Sequence, residues 1–135
     1  MAEKPEITEV VSAQMPLCAT LDIRLFGGRD EVDATLDWAP GLCTAGGILH
    51  GGVLMTLADA AGAVCAFLNM PEGSRTSTIE SKTNFFGAVR EGHVTATSRP
   101  LHKGKTTIVV ETDVLDATGR RAARTTQTQA VLSGD

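Results

Sequence analysis

The sequence has no excess of positive charge, which argues against a general nucleic-acid binder. Its 135 residues include 12 Lys and Arg against 16 Asp and Glu, a formal net charge of −4. A protein that neutralises phosphates along a nucleic acid needs a basic face. Charge runs, low-complexity tracts and internal repeats are also missing. We therefore expect one domain over residues 1–135, with residues 1–4 as a disordered tail.

Cysteine is scarce, and its positions do not fit a metal site. Cys18, Cys43 and Cys65 are odd in number and lack the spacing of metal ligands. We therefore expect reduced thiols, no bound metal ion and a cytoplasmic location.

Neither a signal peptide nor a membrane span is predicted. Residues 1–6 are charged and polar rather than apolar. Residues 53–68 are strongly apolar, but they are fewer than the ~20 residues of a span and include Thr56 and Asp59. Basic flanking residues are also missing there. We predict a buried helix and no membrane partner.

Hydrophobic periodicity predicts a long helix between two groups of strands. An open antiparallel sheet would leave this apolar helix exposed, so we predict an α+β fold whose sheet curves around it. Strict alternation along the first strand after the helix would place Thr78, Glu80 and Lys82 on one face. The predicted elements are a helix over 5–14 ended by Pro16, strands over 19–26 and 32–37, a loop over 40–47, a helix over 51–68, and strands over 76–86, 92–101, 105–115 and 120–132.

A histidine and two glycines directly precede the long helix. His50, Gly51 and Gly52 stand before an apolar run that contains a single acid, Asp59. A helix N-terminus carries unpaired N–H donors and a partial positive charge. Glycine there lets a carbonyl oxygen approach the backbone. A carboxylate in an apolar helix costs free energy unless it is paired, hydrogen-bonded or used in chemistry.

These motifs resemble the hotdog-fold acyl-CoA thioesterases of the PaaI-like branch. The resemblance extends over residues 16–132, and its signature is Leu49-His50-Gly51-Gly52 with Leu57-Ala58-Asp59 behind it, followed by a strand ending Asn84-Phe85-Phe86. It implies a curved antiparallel sheet wrapped around one long central helix. It also implies hydrolysis of an acyl-CoA thioester without a cofactor, since coenzyme A is part of the substrate. Active sites would lie between the subunits of a dimer, or of a dimer of dimers.

The resemblance also implies roles for individual residues. Asp59 would be the general base or the nucleophile, and the Gly51 N–H would stabilise the oxyanion. His50 would orient the substrate, and Thr78 would help to hold the attacking water. Thr44 would also belong to the catalytic site, since it stands six residues before the histidine, where relatives carry an Asn or Gln that contacts the thioester, and it departs from that pattern. As weaker candidates for binding the coenzyme A phosphates we name three basic residues, Arg90, Lys103 and Lys105.

Helix geometry independently favours a site shared between two chains. Asp59 follows Gly51 by eight residues, which is about 12 Å along a helix at ~1.5 Å per residue. One chain cannot readily bring both groups to one carbonyl carbon, whereas a two-fold dimer can. We therefore expect an obligate homo-oligomer.

Three other functions remain open at this point. A hotdog hydratase or dehydratase would use the same fold, but it usually has a proline near the helix start, which His50-Gly51-Gly52-Val53 lacks. A non-catalytic acyl-CoA binding module would not need Asp59. The third is a structural, interaction-only oligomer. The expected substrate is a medium-chain or aromatic acyl-CoA.

Overall fold

The long helix, Gly51–Asn69, packs against a six-stranded antiparallel sheet in the computed structural model, which describes residues 4–134. The sheet has the strand order β1-β2-β4-β5-β6-β3, and five of these strands, β2 to β6, contact the helix. The predicted α+β architecture, a curved sheet around one long helix, is confirmed. The elements in chain order are α1 (Thr8–Gln14), α2 (Pro16–Thr20), β1 (Arg24–Gly27), β2 (Val32–Asp37), α3 (Gly51–Asn69), β3 (Arg75–Phe85), β4 (His93–Lys103), β5 (Thr107–Asp116) and β6 (Arg121–Leu132).

Helix α3 is buried on the side that faces the sheet but open on the other. By length and composition alone it could cross a membrane, yet half of its most apolar window is buried inside the fold. Four residues spaced one turn apart stay at least partly exposed, so burial on every side is not achieved by one chain. We call these four residues the open stripe: Met55, Asp59, Ala63 and Phe67. The buried residues of α3 are Leu54, Leu57, Ala58, Ala60, Ala61, Gly62, Val64, Cys65 and Ala66.

The N-terminal segment differs from the prediction. Helix α1 begins at Thr8 rather than Pro5, because the segment before it pairs with β1 instead. The Ile7 N–H donates to the Leu25 carbonyl at 2.9 Å, and the Gly27 N–H donates to the Pro5 carbonyl at 2.9 Å. Lys4, which was predicted to belong to a disordered tail, lies within the described residues, and its ammonium donates to Asp33 at 2.8 Å. Residues 1–3 lie outside the described residues.

The segment after Pro16 was predicted as a strand but begins as a helix. Pro16 does end α1, yet it also occupies the first position of α2, where its fixed φ and missing N–H are tolerated. Asp22 follows in the left-handed region with a φ of 55° and turns the chain into β1. The alternating pattern is therefore a strand only from Arg24.

A β-bulge changes which side chains of β3 face the helix. Thr78 pairs with Gln129 and Glu80 pairs with Thr128, so Ile79 is an extra residue in the edge strand. Thr78 faces α3 together with the buried Gln129, whereas Glu80 lies on the outer face. The prediction that Glu80 and Lys82 share the face of Thr78 is wrong, because alternation does not continue through a bulge.

Candidate active site

A short network fixes the backbone at the start of α3. The Leu49 N–H donates to the Val89 carbonyl at 2.9 Å, and the His50 N–H donates to the Leu42 carbonyl at 2.9 Å. The Trp38 indole N–H donates to the Gly47 carbonyl at 3.0 Å. The loop that leads into α3 is thus held at three points.

His50 caps the helix and leaves one donor free. Its Nδ1 accepts the Gly52 N–H at 2.8 Å, while its carbonyl accepts the Val53 and Leu54 N–H groups at 2.8 and 3.3 Å. Within residues 4–134 no acceptor reaches the Gly51 N–H. Of the first donors of α3, the one at Gly51 is therefore available to an incoming oxyanion.

The cap also sets the chemistry that His50 can offer. Because Nδ1 is an acceptor here, a neutral imidazole carries its proton on Nε2. The exposed His50 can then donate one hydrogen bond to a substrate. An orienting role for His50 stays a prediction.

The ring of Phe85 forms a wall beside Gly51. A Cβ placed on Gly51 would lie 3.2 Å from Cζ of Phe85, which is a tight contact. Phe85 ends β3 and is 49 % exposed. The glycine therefore leaves room for a ligand atom between the helix backbone and an aromatic ring.

Asp59 presents one carboxylate oxygen to solvent and one to the protein. Oδ1 accepts a hydrogen bond from Nε2 of Gln127 at 3.1 Å. Oδ2 has no partner within residues 4–134, and it is not among the buried unpaired atoms. Asp59 itself is half-buried, so the expected desolvation is only partial in a single chain. The free oxygen is placed to accept a proton or to attack an electrophile.

Two buried thiols near α3 are not reactive nucleophiles. Burial, and after it the negative charge of Asp59, raises the pKa of the Cys18 thiol. Burial raises the pKa of the Cys65 thiol to about 11. Both thiols are protonated at neutral pH, and a thiol without its thiolate form is a poor nucleophile.

Thr78 lies on β3, the strand that ends with Phe85. Its Oγ1 accepts a hydrogen bond from Nε2 of Gln129 at 2.8 Å. Gln129 follows Gln127 by two residues on β6, which places the Thr78 contact about 7 Å along the strand from the Asp59 contact. Asp59 on α3 and Thr78 on β3 therefore contact neighbouring inward-facing residues of β6, without a direct hydrogen bond between them in the described chain, and we call the space between α3 and β3 here the groove.

The remaining predicted residues do not gather at one place. Thr44 is exposed in the loop before α3, and its side chain makes no hydrogen bond within residues 4–134. Arg90 lies beside the same loop, with Nη1 3.4 Å from the Gly46 carbonyl oxygen. Lys103 donates to Asn69 at 3.1 Å, at the other end of α3, and Lys105 follows in the turn. The ends of a 19-residue helix are about 27 Å apart, so Arg90 and Lys103 of one chain cannot bind the same phosphate.

Sequence reasoning missed the two glutamines that contact Asp59 and Thr78. Gln127 and Gln129 are fully buried, although their residue type is usually exposed. The signal was present, because they continue the inward alternation that begins with Ala123 and Thr125 on β6. Polar residues at the buried positions of an alternating strand are therefore candidates for a functional site.

An apolar cavity of about 350 Å³ continues the open stripe beyond Asp59. Ala63 and Phe67, one and two turns after Asp59, form one side, and α1 forms the other. Only Gln14 and Thr76 contribute polar side chains to its lining. Its lining residues are Ile7, Val10, Val11, Gln14, Met15, Ala63, Val64, Phe67, Leu68 and Thr76.

Comparison with known proteins identifies what this arrangement is similar to. The family model described as the thioesterase superfamily matches residues 46–123. A 1,4-dihydroxy-2-naphthoyl-CoA hydrolase of Escherichia coli is 31 % identical over 113 residues, which are 83 % of each chain. The proofreading thioesterase EntH of Cronobacter sakazakii is 29 % identical over 78 % of this chain and 77 % of its own.

Solved structures agree with these sequence matches. A thioesterase from Haemophilus influenzae superposes with a TM-score of 0.87 at 25 % identity, covering 98 % of this chain and 96 % of its own. A mutant thioesterase from Pseudomonas aeruginosa superposes with a TM-score of 0.86 at 25 % identity, covering 93 % of both chains.

Proposed function

The chain belongs to the thioesterase superfamily and is a thioesterase, and from that premise we propose that Asp59 and Gly51 carry the hydrolysis of an acyl-CoA. Water adds to the thioester carbonyl, the C–S bond breaks, and the free acid and coenzyme A leave. The Gly51 N–H stabilises the oxyanion. Asp59 takes the proton of the attacking water, or attacks first and forms a mixed anhydride that water then cleaves. The observation that carries this proposal is a Gly51 N–H without a partner among residues 4–134, on the same helix as an accessible Asp59 oxygen.

The length of α3 supports a site shared by two subunits. Gly51 and Asp59 are about 12 Å apart along one unbroken helix. An oxyanion donor must lie about 3 Å from the oxygen that carries the charge, and the base or nucleophile must lie near the carbon. Gly51 of one subunit and Asp59 of its partner meet this requirement in a two-fold dimer, alone or within a dimer of dimers. The long, exposed β3 edge supports such pairing.

The cavity between α1 and α3 supports an apolar acyl group. Its volume of about 350 Å³ lies in the usual range of ligand pockets, and its lining is almost wholly apolar. The name of the Escherichia coli relative describes a dihydroxylated aromatic acyl group. Two hydroxyls would find few hydrogen-bond partners in this cavity, which favours a medium-chain aliphatic acyl group here.

Arg90 is the basic residue best placed for the coenzyme A moiety. It lines a second cavity of about 640 Å³ next to the start of α3, together with Arg120 and the turn residue Thr118. Arg120 is already paired with Asp116 at 3.2 Å, so Arg90 is the more available guanidinium. A phosphate bound here would extend from the thioester toward the outside of the protein. Lys103 and Lys105 would then contact a different phosphate of coenzyme A, or the coenzyme A bound at the site of another subunit.

A panel of acyl-CoA thioesters from acetyl to dodecanoyl, with benzoyl-CoA added, tests the proposal through release of free thiol. We expect turnover to peak at medium chain length. Asp59→Asn should lower kcat by about 10²–10⁴-fold, because the amide keeps the shape but neither accepts the proton nor attacks. Asp33→Asn is the matched control, since Asp33 accepts from Lys4 and Thr97 at 2.8 and 2.7 Å, away from the groove.

Two results would contradict the proposal. Binding of every thioester without release of thiol would identify a binding module rather than an enzyme. An Asp59→Asn variant within about threefold of wild-type kcat would remove Asp59 from the chemistry, whatever the substrate.

A further inference from the structure

Gln127 carries an unpaired atom in the interior. Its side chain is completely buried, yet Oε1 meets no hydrogen-bond donor, and within residues 4–134 it is the only such buried side-chain atom. An unpaired buried acceptor lowers the stability of the folded state, and in native proteins it calls for an explanation. An apolar residue of the same length would fill the space without this penalty. Stability therefore does not account for a glutamine at this position.

A glycine in the middle of α3 makes room for this amide. A Cβ on Gly62 would lie only 1.8 Å from Oε1 of Gln127 and 2.7 Å from its Cδ. Gly62 is itself buried, and glycine inside a helix is less favourable than alanine. The fold thus accepts a second unfavourable feature to keep the amide against the helix.

The amide group is directed at Asp59. Nε2 of Gln127 donates to Oδ1 of Asp59 at 3.1 Å. The reverse orientation of the amide would bring its oxygen against a carboxylate oxygen, so the donor must face Asp59. We propose that Gln127, seated by Gly62, is a positioning residue that holds Oδ1 of Asp59 and leaves Oδ2 as the oxygen that takes the proton or attacks. This inference rests on the proposed function of Asp59.

Gln129, two residues after Gln127 on β6, makes a similar contact with its side-chain amide. Gln129 is 1 % exposed, and its Nε2 donates to Oγ1 of Thr78. Because the Thr78 oxygen accepts this hydrogen bond, its own hydrogen is free to donate to another acceptor such as water. One strand therefore orients two polar groups of the groove with two buried amides.

The main test replaces Gln127 with methionine, which has similar length but neither donor nor unpaired acceptor. We expect kcat to fall about 10–100-fold, because a hydrogen bond to a charged group is lost and the carboxylate can rotate. KM should stay within about threefold, since binding of the substrate does not depend on this contact. The unfolding temperature should be unchanged or higher, because the unpaired oxygen is gone. Activity and stability would therefore move in different directions.

Thr112→Val is the matched control for loss of a buried hydrogen bond. Thr112 is fully buried on the same face of the sheet, its hydroxyl is 2.5 Å from that of Ser98, and within residues 4–134 it makes no hydrogen bond to Asp59 or Gln127. Removing it should lower stability and leave kcat within about twofold of wild type.

A double-mutant cycle tests the part played by Gly62. Gly62→Ala should lower kcat in the wild-type background, because its methyl group displaces the Gln127 amide. The same change in a Gln127→Ala background should cause no further loss, since the amide is already absent. Independent losses in the two backgrounds would show that Gly62 does not act through Gln127.

The inference fails if Gln127→Met keeps kcat within about twofold of wild type, or if Thr112→Val loses as much kcat as Gln127→Met does. Asp59→Asn, measured alongside, separates the two proposals. If Asp59→Asn is inactive and Gln127→Met is fully active, only the positioning role is wrong. If Asp59→Asn is active, the proposed function of Asp59 is wrong.

Discussion

The two edges of the sheet are built differently. Strand β1, at one edge, has four residues, and the chain's own N-terminal segment pairs with it through Pro5 and Ile7. Strand β3, at the other edge, has 11 residues, most of them exposed, and it ends beside the exposed Phe86. Proteins usually shorten or cover a strand edge, because free N–H and C=O groups invite pairing with another chain. The β1 edge is completed within the chain, whereas the outer side of β3 has no such pairing within residues 4–134.

Three residues of the candidate site lie along or next to the uncovered edge. Phe85 contacts the Gly51 position, Thr78 faces α3, and Asp59 is held by a residue of β6, the neighbour of β3. Assembly and catalysis should therefore depend on the same side of the molecule, and the following variants test that dependence.

Among the following variants the largest effect is expected at Gly51, where a proline removes the N–H donor. Proline is well tolerated at the first position of a helix. His50, with φ −59° and ψ 134°, already has the backbone that precedes a proline. Gly51→Pro should lower kcat by about 10²–10³-fold, the usual loss of one oxyanion donor. Gly51→Ala keeps the N–H and adds the same tight contact with Phe85, so the loss of kcat in Gly51→Pro beyond that in Gly51→Ala measures the contribution of the N–H itself.

Mixing the two inactive variants tests whether the site is shared. Subunits with Gly51→Pro and subunits with Asp59→Asn, refolded together, form mixed dimers that contain one intact site. Activity should return to about a quarter of wild type, since half of the dimers are mixed and each has one good site. Mixtures that stay inactive despite subunit exchange would place both residues in one chain's site.

The next largest effect is expected at the β3 edge, where a charge should weaken the dimer. Ile79→Lys places a charge on an apolar residue that is 62 % exposed there. We expect the dimer dissociation constant to rise at least about tenfold, or ~1.4 kcal/mol, with loss of activity on dilution. Leu101→Lys is the control, because Leu101 is equally exposed at 57 % but lies on β4. Light scattering and thiol release at several concentrations measure both; equal behaviour of the two variants would disprove pairing through β3.

The smallest effect is expected at the covered edge. Oγ1 of Thr8 accepts the Leu25 N–H at 2.9 Å, so it helps to fasten α1 to β1. Thr8→Ala should lower the free energy of unfolding by about 1 kcal/mol and leave kcat and the oligomeric state unchanged. Denaturant unfolding measures the first, and the thiol assay the second. Loss of the dimer in this variant would show that the covered edge also takes part in assembly.

The sequence predicted the elements whose signals are local and missed those that depend on pairing. The start of α3 follows from His50 and the glycines, because the cap is formed by adjacent residues. The second role of Pro16, which begins a helix as well as ending one, is ambiguous in any single sequence. The bulge at Ile79 is a property of two strands in register, and β3 alone does not contain it.

The residues of the candidate site also divide into those with a local sequence signal and those whose role depends on a distant contact. Asp59 and Gly51 could be identified because a carboxylate in an apolar helix and a glycine at its start are unusual where they stand. Gln127 has a local signal only in its buried position on β6, and its role is not local, since it comes from a contact with a residue 68 positions away. The distant placement of Arg90 and Lys103 likewise depends on the tertiary structure.

The bulge at Ile79 changes which residues of β3 face α3. Before it, the residues that face α3 are even-numbered, Thr76 and Thr78, and Thr76 borders the apolar cavity. After it they are odd-numbered, and they run through Thr83 to Phe85 beside Gly51. The extra residue therefore separates β3 into two segments whose helix-facing positions are offset by one residue. Substitutions meant to change the surface that β3 presents to α3 belong at even positions before Ile79 and at odd positions after it.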